Sequence, residues 1–277
     1  MGKNALLDTD FISKTHLIRK DKDNKLIDRV ILLSGYDFYC HDQIRNELLR
    51  DTDHSPSEWL MKQIMAGKVI CYSDKHILSG LERIYGENAS LMYARMMNTA
   101  CEAYRRDYFS EHFPSVASLD YSSVGIDDFL AVLEKDCSAL NTDCNLGELK
   151  TYVLLQFMTL TMEQMVYIFC SDDRNARNAI LNIGEVRCIS VLSSFCRLRI
   201  ESDFSEVEAE PYIQSYLAFL KRSNQETFRI QNGSKPGQFT RMPCDRVFDE
   251  LFSGRLEEAK NGNLKLKDTT DTITSPK

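Results

Sequence analysis

The stretch whose reading decides the fold is Ile168 to Arg177, IFCSDDRNAR. An apolar run from Met165 to Cys170 suits a buried strand. It stops at Ser171 and two adjacent carboxylates, Asp172 and Asp173, after which Arg174 to Asn182 has helix-compatible residues. The pattern is strand, acidic elbow, helix. In an open α/β sheet, ligands and chemistry collect at the carboxyl ends of parallel strands, so acids placed there face a crevice. An Asp before a helix also has an ordinary structural use, because its side-chain oxygen accepts a free backbone N–H. Taken alone, the cap is the commoner role.

Working outward, the same punctuation recurs. Asn4 to Leu7 is a short apolar strand that ends at Asp8, in LLDTDF. Tyr36 to Cys40 is a second strand, and His41 opens a helix carrying Ile44, Glu47 and Leu48; Val69 to Tyr72 is a third strand, and Val186 to Leu192 follows the elbow helix as a fifth. Strands alternating with helical segments predict an α/β fold whose sheet is mainly parallel and joined by crossover helices. Phe11 to Ile18, Ile27 to Leu33 and Ser57 to Met65 are helical, with the charged run RKDKDNK an exposed turn. From His76 to about Phe113, and again over Ile126 to Leu140, apolar residues fall at three and four spacings. An enlarged helical segment of about 76–140 thus separates the third strand from Gly147 and Glu148. Gly184 is the expected stop of the elbow helix. Beyond Phe204 the chain reads as a helical appendage: Glu206 to Arg222, a linker or hairpin loop at NGSKPGQ, a short helix Asp245 to Phe252, and a polar, frayed Asn261 to Lys277. The division expected is a catalytic-type domain at 1–200 and an appendage at 201–277.

A chain of 277 residues can bury one large core, and 43% apolar with 27% charged residues is ordinary for a globular protein. The most apolar stretch, Thr151 to Cys170, is interrupted by Gln156, Glu163 and Gln164 and changes period midway, so it reads as core rather than membrane span. With no secretory signal and no Ser or Thr at position six for myristoylation, the expected compartment is the cytoplasm. Nine cysteines without a CxxC pair suit reduced thiols, and five dispersed histidines argue against zinc. A net charge of −7 argues against general nucleic-acid affinity, yet Arg174 to Arg199 holds five arginines against the single acid Glu185, which leaves room for a local phosphate-binding face.

The candidate acids are Asp8, Glu47, Glu148, Asp172 and Asp173. Glu47 sits at most about two turns into its helix and either leans over the crevice or is a surface acid. Glu148 opens an apolar helix, where the helix dipole alone is reason enough for an acid. In order and context, Asp8 in LLDTDF, Glu47 in IRNELL, Gly147 and Glu148 in LGELKTY, and Asp172, Asp173, Ala176 and Arg177 in CSDDRNAR resemble a PIN-like nuclease domain, of the branch with GE and DDxxAR motifs. The resemblance covers about Asn4 to Arg199 and rests on the order of four short motifs. It implies a three-layer domain around a central, mainly parallel five-stranded sheet, and metal-dependent hydrolysis of RNA leaving a 5′ phosphate.

Carboxylates converging in one crevice repel unless a cation neutralises them, and oxygen-only ligands suit Mg²⁺ or Mn²⁺. The resemblance puts Asp8, Glu148, Asp172 and Asp173 at the metal, with Glu47 as a further catalytic acid. Arg174 and Arg177 are candidates for a substrate phosphate or for an ion pair with the acids. Thr9 and Ser171 are candidates for orienting water or for capping a turn. Asp10, where many members have a neutral residue, is an extra acid or points away. The implied partner is RNA, with DNA open, and small toxin members of the family pair with a protein inhibitor. A toxin or defence endoribonuclease is the first reading, a catalytically silent nucleic-acid-binding or scaffold protein the alternative, and a phosphotransfer enzyme using Asp8 as nucleophile the third.

Overall fold

The computed structural model describes residues 2–50, 52–104, 107–140, 145–181, 185–233 and 237–267. The chain begins β1 (Lys3–Leu7), α1 (Thr9–Leu17), α2 (Leu26–Val30), β2 (Tyr36–His41), α3 (Asp42–Leu48), α4 (Ser55–Met65) and β3 (Val69–Tyr72). A run of helices follows: α5 (Asp74–Tyr85), a 3-10 turn at Gly86–Asn88, α6 (Ala89–Tyr104), α7 (Tyr108–His112), α8 (Pro114–Ala117) and α9 (Ile126–Ala139). Then come α10 (Leu146–Gln156), a π-helical segment (Phe157–Thr161), β4 (Val166–Cys170), α11 (Arg174–Ile180) and β5 (Arg187–Ile189). The remainder is α12 (Val191–Glu201), α13 (Glu206–Arg222), β6 (Thr227–Gln231), β7 (Phe239–Pro243), α14 (Cys244–Phe252), β8 (Leu256–Glu258), β9 (Asn261–Gly262) and β10 (Leu264–Leu266).

Two compact units divide the chain: 1–13 with 35–188, and 14–34 with 189–277. In the first, the strands run in the order β3-β2-β1-β4-β5, and the pairings β1–β2, β2–β3 and β1–β4 are parallel. The α/β expectation holds at that level. The sheet has six strands rather than the expected five. Since the chain adds β2 and β3 on one side of β1, and β4 and β5 on the other, the order switches between β1 and β4. That is where an open α/β sheet leaves its crevice.

Most of the first unit's core is helix packed on this sheet. In α10, every residue from Leu146 to Gln156 except Glu148 is buried, which explains why its sequence is apolar on all sides. The stretch Thr151 to Cys170 is thus the end of α10, the π segment and β4, with Glu163 at φ 53° in the reversal between them. Among the described residues no helix is long and apolar enough to cross a membrane. The expected fifth strand is shorter than read, because Ser190 and Ser193 cap each other's backbone N–H groups at 3.1 and 2.8 Å and start α12 where the apolar run continues. The expected stop at Gly184 lies outside the described residues.

The second unit corrects the helical appendage. It contains a four-stranded sheet, β7-β6-β10-β8, with antiparallel β6–β7 and β8–β10 pairs and a parallel β6–β10 pair. β6 and β7 flank NGSKPGQ as arms of a hairpin. Residues 261–266, expected to fray, form β9 and β10, because Leu264 is buried at 1% exposure; positions 268–277 of that tail lie outside the described residues. The aromatic rings of Phe195, Phe204, Tyr216 and Phe248 fill this unit's core, with Phe195 stacked on Tyr216 at 6.0 Å.

Candidate active site

Asp8 is the first residue past β1 and Ser171 the first past β4. The β1–β4 register pairs Leu7 with Cys170, and the Asp8 N–H continues that ladder to the Cys170 carbonyl at 3.0 Å. Register alone therefore brings Ser171 beside Asp8, and its hydroxyl donates to Asp8 Oδ2 at 2.7 Å. The other oxygen, Asp8 Oδ1, is buried without a hydrogen-bond partner. A carboxylate oxygen left this way is costly unless something else satisfies it.

The remaining acids arrive from three other segments. Glu47, in α3, is held on both oxygens, by the Thr9 hydroxyl at 2.6 Å and the Gly147 N–H at 2.7 Å. Gly147 is required by this approach, since a Cβ there would overlap the Glu47 carboxylate. Glu148 follows in the first turn of α10, behind Asn145 at φ 43°. Asp173 caps α11, its Oδ1 accepting from the Ala176 N–H at 2.7 Å, while its own N–H donates to Ser171 Oγ at 3.2 Å. The cap and the site are one residue, with the carboxylate still bordering the cleft.

A cleft of about 510 Å³ is lined by Thr9, Asp10, Ser13, Glu47, Arg50, Asn145, Glu148 and Asp173. Mutual repulsion marks it. Burial, with the charges of Glu47, Asp173 and Asp10, pushes the Glu148 carboxyl up to about 7 against the help of a backbone hydrogen bond. Burial, then Glu148, Asp10 and Glu47, holds Asp8 well above the usual carboxylate range, although the Ser171 hydroxyl works the other way.

The structure brings Asp8, Glu47, Glu148 and Asp173 together, and Asp10 with them. Asp172 is half-buried and is not among the cleft's lining residues. Arg177 is 7% exposed and donates from Nη1 to the Ser171 carbonyl at 2.9 Å, so it clamps the elbow rather than standing open to a phosphate. Arg174, the first residue of α11, is exposed. Thr9 and Ser171 orient the acids Glu47 and Asp8. Sequence reasoning missed Ser13, Arg50 and Asn145 at the cleft. Arg50 stands three residues after Glu47 in ELLR, a spacing visible in the sequence but without a reason to be singled out there.

Reasoning from motifs also missed a buried network beside the site. Lys150, two residues after Glu148 and 1% exposed, donates to Asp74 Oδ1 and Oδ2 at 2.8 and 2.9 Å and to the Tyr93 hydroxyl at 3.0 Å. Tyr93 donates to the same carboxylate, His41 Nε2 lies 3.1 Å from it, and His41 Nδ1 accepts from the Gln43 N–H to cap α3. Burial alone would raise the Asp74 carboxyl, but Lys150 and His41 outweigh it and hold the group far below its ordinary value.

A hard divalent cation fits the donor chemistry of the cleft: oxygen atoms only, repelling carboxylates, and an orphaned Asp8 oxygen. Among the described residues no three His, Cys, Asp or Glu side chains already close around one point. Comparison with family models, with curated proteins and with solved structures yields no match to this chain.

Proposed function

We propose that the chain is a Mg²⁺- or Mn²⁺-dependent nuclease of PIN-like type, an endoribonuclease in the first instance, and that the cleft beside the β1–β4 switch is its hydrolytic site. The observation that carries this reading is the convergence, from separate chain segments, of four carboxylates, where burial together with neighbouring negative charge pushes Glu148 up to about 7 and Asp8 Oδ1 is left unsatisfied. A binding module gains nothing from concentrating negative charge where a phosphodiester must lie, whereas a site that takes up a cation needs it. Asp8, Glu148 and Asp173 would hold the ion. When bound, it neutralises these carboxylates and stabilises charge developing on phosphoryl and leaving-group oxygens.

The chain's own groups do the positioning. Ser171 fixes Asp8, while Thr9 and the Gly147 N–H fix Glu47, so the acids are oriented before substrate arrives. Arg50 and Arg174 are the cations suited to the nucleic-acid backbone, because a guanidinium fork matches phosphate geometry. Toxin or defence use, and a protein inhibitor or activator as partner, belong to the same reading.

The second reading is a catalytically silent nucleic-acid-binding or scaffold protein that keeps the same crevice. The deciding experiment offers labelled single-stranded RNA, structured RNA and DNA to wild type, Asp8→Asn and Asp173→Asn, with Mg²⁺, with Mn²⁺ and with chelator. Metal-dependent cutting lost in both variants is expected, and the substrate cut names the nucleic acid. Binding without cutting in every condition would put the silent reading first.

A further inference from the structure

Cys40 and Cys71 stand opposite each other in the parallel pairing of β2 with β3, between the partners Tyr39–Ile70 and His41–Tyr72. Partners in register put their side chains on the same face of a sheet, on strands about 4.7–4.9 Å apart. That spacing lies within the Cα separation of about 4.4–6.8 Å that a disulfide spans. Both residues are free thiols, and the two sulfurs share a hydrogen bond.

Cysteines in a sheet ordinarily serve as small hydrophobic side chains. These two differ from each other in a way that packing does not call for. Cys40 is fully buried, whereas Cys71 is half-buried on the sheet's edge strand and lines a cavity of about 470 Å³ together with Tyr72, Gly80 and Phe157. The hydrogen bond from Cys40 holds the Cys71 thiol below its usual value, helped by His41 and Arg45 and opposed by burial and the charge of Asp42. The same hydrogen bond, and then burial, pushes the Cys40 thiol well up. Burial raises Cys101, Cys137, Cys196 and Cys244 as well. The thiolate is the reactive form of cysteine, so the pair sets an accessible sulfur that ionises more readily beside a buried one that keeps its proton.

We propose that Cys71 is a peroxide-reactive thiol with Cys40 as its resolving partner, a reversible oxidation site that links β2 to β3. The Cys71 thiolate attacks one oxygen of hydrogen peroxide; the O–O bond breaks, Cys71 becomes a sulfenic acid and hydroxide leaves. Cys40 gives its proton to that hydroxide, and its sulfur then attacks the Cys71 sulfur and displaces the sulfenic hydroxyl. The displaced hydroxide takes up the proton that Cys71 had shed. Two thiols are oxidised to one disulfide, and hydrogen peroxide is reduced to two waters.

The test treats the reduced full chain with hydrogen peroxide at neutral pH, blocks remaining thiols with N-ethylmaleimide, and maps the unreduced tryptic peptides by mass spectrometry. The expected product joins residues 30–45 to residues 69–75, two hydrogens lighter than the separate peptides, and dithiothreitol restores both. In Cys40→Ser, which lacks the resolving thiol, dimedone should label Cys71 as the sulfenic acid; in Cys71→Ser, Cys40 should form neither a disulfide nor a dimedone adduct. Before any oxidation, limiting iodoacetamide should alkylate Cys71 on the order of tenfold faster than Cys40. The wild-type map decides the pairing even if a variant fails to fold. Absence of the linked peptides under peroxide that oxidises glutathione in the same solution, a link from either residue to another cysteine instead, or equal alkylation rates for the two thiols would overturn the proposal.

Discussion

Glu148 shows at the scale of one side chain how the site trades stability for chemistry. Its carboxyl is pushed from 4.5 up to about 7 by burial and by its acidic neighbours. An acid whose folded pKa is raised destabilises the fold progressively as pH climbs from the unfolded value to the folded one, and fully above it. At 1.36 kcal/mol per pKa unit the penalty is about 3 kcal/mol above pH 7. Glu148→Gln, melted in chelator, should therefore match wild type near pH 4.5 and exceed it by about 1–3 kcal/mol at pH 8, while losing metal-dependent cleavage. A stability difference that does not change between those pH values would refute the raised Glu148 carboxyl. The motif glycine before it has an equally local reason, since only hydrogen at Gly147 leaves room for the Glu47 carboxylate.

At the scale of elements, the elbow after β4 combines two roles that the sequence presented as alternatives. Asp173 caps α11 through the Ala176 N–H and borders the cleft. The two roles separate by substitution, because Asn caps a helix about as well as Asp whereas Ala costs about 1 kcal/mol. Asp173→Asn should keep the denaturation midpoint of wild type and lose cleavage; Asp173→Ala should lose cleavage and about 1 kcal/mol as well. Urea denaturation of the pair checks this, and equal stability of the two variants would remove the cap from the account. Arg177, a candidate for a substrate phosphate or for an ion pair with the acids, braces the Ser171 carbonyl from a buried position. Its spacing in the motif could not distinguish the two, because burial is decided by what packs around α11.

At the scale of the whole molecule, each unit holds together in its own way. In the first, Lys150 joins α10 to α5 and α6 through Asp74 and Tyr93, so the enlarged helical segment is tied to the helix that presents Glu148. Removing one partner of a buried ion pair leaves an uncompensated charge. Lys150→Met should cost about 3–5 kcal/mol in urea unfolding, and adding Asp74→Asn should cost less than the sum of the two single changes. Additive costs would show that the two groups do not act together. The second unit rests on its aromatic cluster and on a four-stranded sheet that the sequence reading did not anticipate. The strands of that sheet are three to five residues long, too short for an alternating pattern to stand out from a loop.

By itself the sequence determined the parts whose physics is local. The four strands Lys3–Leu7, Tyr36–His41, Val69–Tyr72 and Val166–Cys170 were legible within a residue or so, because apolar runs ending at polar residues declare where a buried strand stops. The acids at the ends of the first and last of these, Asp8 and Asp173, and the helices that follow the strands were legible for the same reason. What only the tertiary structure decided depends on pairing between distant segments. The parallel register of β1 with β4 sets Asp8 beside Ser171, and the crossover that carries α10 back to the sheet sets Gly147 against Glu47, a hundred residues earlier. Long-range pairing also gathered Arg50 to the cleft, buried Lys150 against Asp74, and turned the C-terminal segment into a sheet. A side chain's chemistry follows from its type, but its partner, its burial and therefore its pKa follow from which distant residues the fold brings to it.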